Sequence, residues 1–281
     1  MEIINGNNAD MKSKLLISII IPTKNSETTI EACLKSIKNQ SYKDVEIIVV
    51  DNNSTDKTKQ IAGDYTKLVF NKGPERSAQR NFGALKSKGQ YLLFIDSDME
   101  LTINVVKECV GKINGYKALI IPEKSFGKGF WAQCKALERS FYIDVDWMEA
   151  ARFFDKKTFK ELKGYDEKQT GTEDYDLPQR IKGKYEDHPI GRIKSFIMHN
   201  EGKLSLGYTL KKKFYYAKTA SKYAKKKSNT KYFSKQSNIL ERYKLFLSNP
   251  IKLFKNPVLG LGMLFMKTSE FIAGGSGFLL R

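Results

Sequence analysis

Two hydrophobic rhythms run through the first two hundred residues, one of strands buried on both faces and one of amphipathic helices. Leu15-Leu-Ile-Ser-Ile-Ile-Ile-Pro22 is a near-continuous apolar run closed by proline, which predicts a buried strand. Thr28-x-x-Glu31 has the form of a capping box, and Ile30, Leu34 and Ile37 follow at helical spacing as far as Gln40. Val45-Glu-Ile-Ile-Val-Val50 predicts a second buried strand ending on Asp51. The polar turn Asn52-Asn53-Ser54-Thr55-Asp56 then caps a helix over 57–64. Leu68-Val-Phe70 reads as a short third strand. Ser77 reads as the cap of a helix that turns Ala78, Phe82 and Leu85 inward, and Tyr91-Leu-Leu-Phe-Ile95 as a fourth strand running into Asp96-Ser97-Asp98. Weaker signals place strands at 118–122 and 150–154, a helix capped by Asp155 and stopped at Gly164, and a helix over 175–182 with Pro178 in its first turn. Four alternations of strand and helix predict an α/β fold, a mostly parallel sheet covered on both faces. Such sheets bind ligands beyond the carboxyl ends of their strands, where Asp51 and Asp96 stand.

Charge divides the chain differently. The 281 residues carry 49 Lys+Arg against 31 Asp+Glu, a net +18. Residues 202–281 hold 17 of those bases and 2 of the acids (Glu241 and Glu270), or +15, which leaves +3 for residues 1–201. The chain therefore reads as an ordinary globular domain over 1–201 followed by a basic helical extension over 202–281. Aromatic residues such as Tyr208, Phe214, Tyr215 and Tyr216 sit among the extension's lysines. Basic–aromatic mixtures suit a nucleic-acid surface, an anionic membrane surface, or a helix packed on its domain by an aromatic side. Val258-Leu-Gly-Leu-Gly-Met-Leu-Phe-Met266 is too short to span a bilayer, so any membrane contact is expected at the interface. The polar first ten residues do not read as a signal peptide. Three scattered cysteines, Cys33, Cys109 and Cys134, exclude a disulfide framework and a cysteine-built zinc site.

Several residues can carry chemistry. Two carboxylates one residue apart at a strand end, Asp96 and Asp98, can hold one hard cation and leave positions open for phosphate oxygens; they can equally cap the next turn. Asp51 can accept a hydrogen bond from a base or ribose. Asp174, beside Glu173, is either a general base or a helix cap. His199 follows Phe196-Ile-Met198, either as a satisfied strand-end residue or as a ligand lying near Asp98. The P-loop, dinucleotide, G-x-S-x-G and H-E-x-x-H signatures are all missing.

Taken in order, these pieces resemble the family-2 glycosyltransferases of glycosyltransferase-A (GT-A) fold. The resemblance is carried by Ile19-Ile-Ile-Pro-Thr-Lys-Asn25, Val49-Val-Asp-Asn-Asn-Ser-Thr-Asp56, Ser77-Ala-Gln-Arg-Asn-Phe-Gly83, Phe94-Ile-Asp-Ser-Asp98, and Gly164-Tyr-Asp-Glu167 followed by Thr172-Glu-Asp174. It implies that Pro22, Thr23, Glu27, Asp51, Asn53, Arg80, Asp96 and Ser97 hold the nucleotide, with Asp51 on the base and Asp96 at the ribose. It implies that Asp98 and His199 bind Mn²⁺ or Mg²⁺, and that Asp174 deprotonates the acceptor. The implied reaction is an inverting transfer of one sugar from a nucleotide-diphosphate sugar, a UDP-sugar first, to a hydroxyl or phosphate of a glycolipid or polyprenyl-linked acceptor. The implied place is the cytoplasmic side of the cell membrane, peripherally, against an anionic surface and with no nucleic acid. A soluble or protein acceptor is the alternative, as is a non-catalytic nucleic-acid-binding protein that uses the basic tail. Lys24 stands where the family often has an aromatic residue. The absence of Q-x-x-R-W after Asp174 implies single additions.

Overall fold

In a computed structural model, residues 15–169, 171–224 and 230–280 are described, side chains within 218–231 and Phe233 excepted. The polar N-terminal segment and the Lys225-Lys-Lys227 tract lie outside them. Seven strands form the main sheet: β1 (Ile17–Thr23), β2 (Val45–Asp51), β3 (Val69–Asn71), β4 (Tyr91–Phe94), β6 (Ala118–Ile120), β8 (Ala151–Asp155) and β9 (Ile190–Arg192), in the order β3-β2-β1-β4-β8-β6-β9. Only β8 runs against its neighbours. β5 (Met99–Leu101), β7 (Glu123–Lys128) and β10 (Ile197–Lys203) form a second, three-stranded sheet in the order β5-β10-β7.

The strands at the centre are apolar throughout because both faces of the sheet are covered. Ile17, Ile19 and Ile21 of β1 face a core shared with α1 (Ile30–Lys38) and α4 (Val105–Lys112). Ile20, with Ile48, Val50, Leu92 and Phe94, faces the opposite core, where α3 (Arg76–Lys86), α6 (Lys156–Glu161) and α7 (Glu173–Lys184) pack. α2 (Thr58–Tyr65) completes the second crossover. Gly83 lets α3 press onto the sheet, since a Cβ there would come within 2.4 Å of Ile20 Cγ2.

Four local expectations are corrected. Thr28 and Glu31 do not form a capping box: α1 begins after Thr29 without a side-chain cap, and Glu31 pairs with Lys35 at 2.9 Å instead. Glu75, not Ser77, precedes α3, and Ser77 is buried in the first turn. Leu85 points outward, 72% exposed, because Arg80 and Gly83 occupy the inward face that a count of apolar residues assigned elsewhere. α7 starts two residues early, which moves Pro178 past its first turn and Asp174 into it. The Asp155 cap is as expected, its carboxylate accepting from the Thr158 N–H at 2.8 Å.

The extension folds back onto the first domain. α8 (Leu206–Ala224), α9 (Thr230–Ser237), α10 (Ile239–Leu247), α11 (Pro250–Phe254) and α12 (Pro257–Leu279) follow one another, and α12 lies between α8 and α5 (Phe130–Ser140). A third core of Cys134, Phe141, Phe246, Leu253, Met263 and Met266 joins them. Inside this contact sits an alternating square of charges. Lys135 donates to Glu138 (2.6 Å) and Glu270 (2.5 Å), and Lys267 donates to Glu138 (2.7 Å) and Glu270 (2.9 Å). Tyr142 also donates to Glu138, and Arg242 of α10 donates to the Tyr142 hydroxyl at 2.8 Å. All three cysteines are free and buried. Among the described residues, no helix is long and apolar enough to cross a membrane.

Burial alone would raise the Glu270 carboxyl, but the lysines around it, Lys267 foremost, hold it at about 2. An unfolded glutamate titrates near ~4.3. The square therefore contributes its full stability above about pH 5 and loses it as pH falls toward 2. Glu270→Gln should destabilise the protein by about 3–5 kcal/mol at neutral pH, because it leaves buried lysines undercompensated. Denaturant unfolding of both proteins at pH 7 and pH 3 checks this: the gap between them should narrow in acid, and an equal gap at both pH values would contradict the assignment.

Candidate active site

The site lies beyond the carboxyl ends of β1, β2 and β4, and its centre is one guanidinium. Arg80, fully buried in α3, donates from Nη2 to Asp96 (2.7 Å) and from Nη1 to Asp174 (2.6 Å). It thereby joins the loop after β4 to the first turn of α7. Burial opposes the charge on Arg80, and Asp174 and Asp96 more than restore it. Burial would likewise raise Asp96, but Arg80, Arg152 and Arg76 hold its carboxyl far below the ordinary range. Arg76 also approaches Glu173 at 3.4 Å. Burial and the charge of Asp174 together raise Glu173.

The other motif residues shape this pairing. Asn81 clasps the backbone of Tyr165 with both ends of its amide, at 2.9 Å each, and the Arg80 guanidinium lies 5.3 Å from the centre of the Tyr165 ring. Gly164 adopts φ +63°, and a Cβ on it would come within 2.5 Å of Asn81 Oδ1. The pair Arg80-Asn81 thus requires the pair Gly164-Tyr165.

Register brings His199 to Asp98. Met99 of β5 lies opposite His199 of β10, and the Asn200 N–H donates to the Asp98 carbonyl at 2.9 Å. His199 Nε2 stands 3.5 Å from Asp98 Oδ2, and Nδ1 stands 3.5 Å from Glu123 Oε2 and 2.9 Å from Arg139 Nη1. Burial and Arg139 push the imidazole down, but the Asp98 and Glu123 carboxylates outweigh them and raise it to about 9. Glu123 is held well below the usual carboxylate range, with Arg152 leading against burial, and pairs with Arg152 at 2.6 Å.

Among the described residues, no group of three or more His, Cys, Asp or Glu side chains is arranged around one metal position. Asp98 and His199 make a two-donor pair, and Asp98 Oδ1 is buried without a hydrogen-bond partner. A carboxylate oxygen with an unfilled lone pair beside an imidazole suits Mn²⁺ or Mg²⁺, with the remaining positions left for phosphate oxygens.

The remaining predicted residues fall into two sets. Thr23 is buried at the end of β1 with its hydroxyl unpartnered, Pro22 is buried beside it, and Ser97 donates to Ser26 at 2.9 Å. Asp51 is fully buried, and its oxygens accept from the Ser54 N–H (2.8 Å) and hydroxyl (2.5 Å), so here it holds its own turn together. Glu27 and Asn53 are exposed on loops outside the carboxylate cluster, with Glu27 accepting from the Lys57 N–H at 3.1 Å. The sequence reading missed Arg76, Glu123, Arg139, Arg152 and Glu201. Arg152 was within reach, as a charge in the otherwise apolar strand Ala151-Arg-Phe-Phe154. Arg76 meets Asp96 and Glu173 from the start of α3, and Glu123, Arg139 and Glu201 meet through the second sheet and α5, which no local pattern announces.

Residues 18–168, more than half of the chain, match the family described as Glycosyl transferase family 2. The chain belongs to that family. This family-2 chain is 33% identical over 177 residues to a Campylobacter jejuni GalNAc(5)-diNAcBac-PP-undecaprenol beta-1,3-glucosyltransferase, covering 56% of this chain and 57% of that one. It is 36% identical over 134 residues to a poly(ribitol-phosphate) beta-glucosyltransferase of Bacillus spizizenii, covering 39% and 21%. It thus spans little more than half the length of the first relative and a fifth of the second. Among solved structures it resembles a mannosyltransferase from Pyrobaculum calidifontis in complex with GDP-Man and Mn²⁺, with TM-score 0.65, 14% identity, and coverage of 95% and 88%. It also resembles S. aureus TarS 1–349 in complex with UDP-GlcNAc, with TM-score 0.53, 18% identity, and coverage of 94% and 90%. These likenesses establish the GT-A fold.

Removing Arg80 leaves two part-buried acids, Asp96 and Asp174, without their shared cation. Arg80→Ala should cost about 3–5 kcal/mol. Arg80→Lys keeps the charge but lacks the fork needed to span both acids, and should fall between alanine and wild type. Urea midpoints measure this, and a loss under about 1 kcal/mol for alanine would show that the acids do not depend on Arg80.

Proposed function

We propose that this chain is an inverting, metal-assisted glycosyltransferase that moves one sugar from a nucleotide-diphosphate sugar, most simply a UDP-sugar, to a hydroxyl or phosphate of a lipid-linked acceptor. The observation that carries the reading is convergence: one buried Arg80 joins Asp96 to Asp174 at the carboxyl edge of a parallel sheet, and Asp98, two residues beyond Asp96, pairs with His199. In this reading Thr23, Asp51 and Ser97 lie along the nucleoside end, and Asp96 orders the ribose end through its hold on Arg80. Asp98 and neutral His199 Nε2 hold Mn²⁺ or Mg²⁺, which when bound neutralises charge on the departing diphosphate. Coordination requires the imidazole proton to sit on Nδ1 and point at Glu123, so the Arg139 contact must loosen.

Asp174 is part-exposed, whereas Glu173 is buried, so Asp174 is the acid that an acceptor can reach. Arg80 engages Asp174 Oδ1, which leaves Oδ2 to take the proton of the acceptor hydroxyl as its oxygen attacks the anomeric carbon. The bond from that carbon to the diphosphate breaks on the opposite face, the nucleoside diphosphate leaves with the electron pair, and the configuration inverts.

Two features support a lipid-linked acceptor. The Campylobacter relative is named for an undecaprenol-linked substrate. In the extension, Leu261, Phe265, Ile272 and Leu279 form an exposed stripe along the outer side of α12, opposite its buried Met263, Met266 and Gly277. Exposed Lys244 and Lys255 lie on either side of α11, and each basic residue near an anionic leaflet adds about 1 kcal/mol. A second copy of so basic a surface would repel the first, so an anionic lipid surface fits it better.

Calorimetric titration of UDP and of GDP, with and without Mn²⁺, tests the donor half. One nucleotide should bind only with metal, and Asp98→Ala should abolish it. Asp174→Asn should keep that binding while lowering kcat by roughly 10²–10⁴-fold. Binding of neither nucleotide by folded protein would sink the reading. For the acceptor half, phosphatidylglycerol vesicles should sediment the protein at low salt, and the combined Leu261→Ser, Phe265→Ser, Ile272→Ser variant should stay in the supernatant. A wild-type protein that ignores such vesicles removes the membrane from the proposal.

A further inference from the structure

The extension reaches into the site. Gly171, immediately before Thr172-Glu173-Asp174, lies flat against Tyr216 of α8: a Cβ built on it, at φ +82°, would stand 3.0–3.3 Å from the Tyr216 Cγ, Cδ2 and Cβ atoms. α8 therefore crosses the loop that carries the proposed base, and the charges of Arg76, Glu173 and Glu75 act on the Tyr216 phenol. Tyr208, Lys212 and Tyr216 recur four residues apart and share one helix face. The Lys212 ammonium sits 5.8 Å from the centre of the Tyr216 ring. Among the described residues it makes no ion pair, yet Asp98 and Glu201 attract it while Arg76 and Arg139 repel it. The neighbouring Lys213 faces the other way, toward Glu270 of α12 at 4.0 Å.

A cation beside the ring that packs on the loop before Asp174, with no ion pair among the described residues, implies an anion that arrives with the substrates. Arg76, part-exposed on the same rim, reaches inward only at length, 3.4 Å to Glu173 and 3.9 Å to Asp96. We propose that Lys212, with Arg76 facing it, forms a phosphate-binding subsite contributed by the extension, taking a diphosphate group between α8 and the start of α3. The inference rests on the transferase reading above. Two diphosphates pass this rim in that reading, the one leaving with the donor nucleotide and the one joining a polyprenyl chain to its glycan. Both offer the same chemistry to an ammonium and a guanidinium.

The test uses the full chain and two probes, UDP with Mn²⁺ and farnesyl diphosphate, each titrated calorimetrically into wild type, Lys212→Ala, Lys212→Arg and Lys211→Ala. Lys212 is exposed, so its variants should keep the wild-type melting temperature. Lys212→Ala should weaken one probe about tenfold or more, Lys212→Arg should restore most of it, and Lys211→Ala should change neither. Loss of UDP affinity assigns the subsite to the leaving group. Loss of farnesyl diphosphate affinity with UDP intact assigns it to the acceptor. Wild-type affinity for both probes in Lys212→Ala overturns the subsite and leaves the transferase reading standing. Failure of wild type to bind UDP or GDP with metal overturns both.

Discussion

The candidate site turns on one guanidinium removed from water. Placing Arg80 in the interior is unfavourable unless both of its hydrogen-bonding edges are met by anions, and Asp96 and Asp174 meet them from elements 78 residues apart in sequence. The loop after β4, the first turn of α7 and the inward face of α3 are therefore tied together by charge compensation in addition to the apolar core that α3 and α7 share. Tyr165 covers the guanidinium, Asn81 secures Tyr165, and Gly83 sets how closely the helix bearing them all approaches the sheet. The candidate site then has a fixed floor from which the Asp98 and Asp174 carboxylates reach solvent.

That floor also explains which parts could be read from sequence. β1, β2 and β4 are buried on both faces and so leave uninterrupted apolar runs, and the aspartates that close them mark the sheet edge on which ligands bind. The inward face of α3 was misjudged because its inward residues include an arginine and a glycine, invisible to a count of apolar side chains. Asp98 and His199 could each be named as candidates, but their meeting depends on the register of β5 against β10, a pairing between strands about a hundred residues apart in sequence. Glu123 and Glu201 belong to the same long-range sheet, Arg139 reaches them from α5, and none left a local trace. Asp51 is instructive in another way: its position was legible, but not that Ser54 occupies its oxygens.

In the extension the same principle recurs with different materials. Its composition suggested an appendage, and its lysines and aromatic residues were compatible with several partners. In the fold, Phe246 enters the third core and Tyr216 packs against Gly171, while Tyr208, Tyr215, Phe254, Phe265 and most of the lysines remain outside. Lys267 does not: it is buried in the charge square, so total charge concealed an individual role.

The charge square also limits how this protein could be recombined. Half of it, Lys135 and Glu138, is carried by α5 in the catalytic half, and half, Lys267 and Glu270, by α12. Sliding α12 by a single turn would set like charges together in an apolar seat, so the helix can dock in one position only. A chimera that grafted this extension onto another catalytic domain would have to bring the α5 pair with it. Otherwise each half would present an unmatched acid and base to a surface built to exclude water. In that sense the unit of inheritance is the seam, and it crosses the boundary that composition draws.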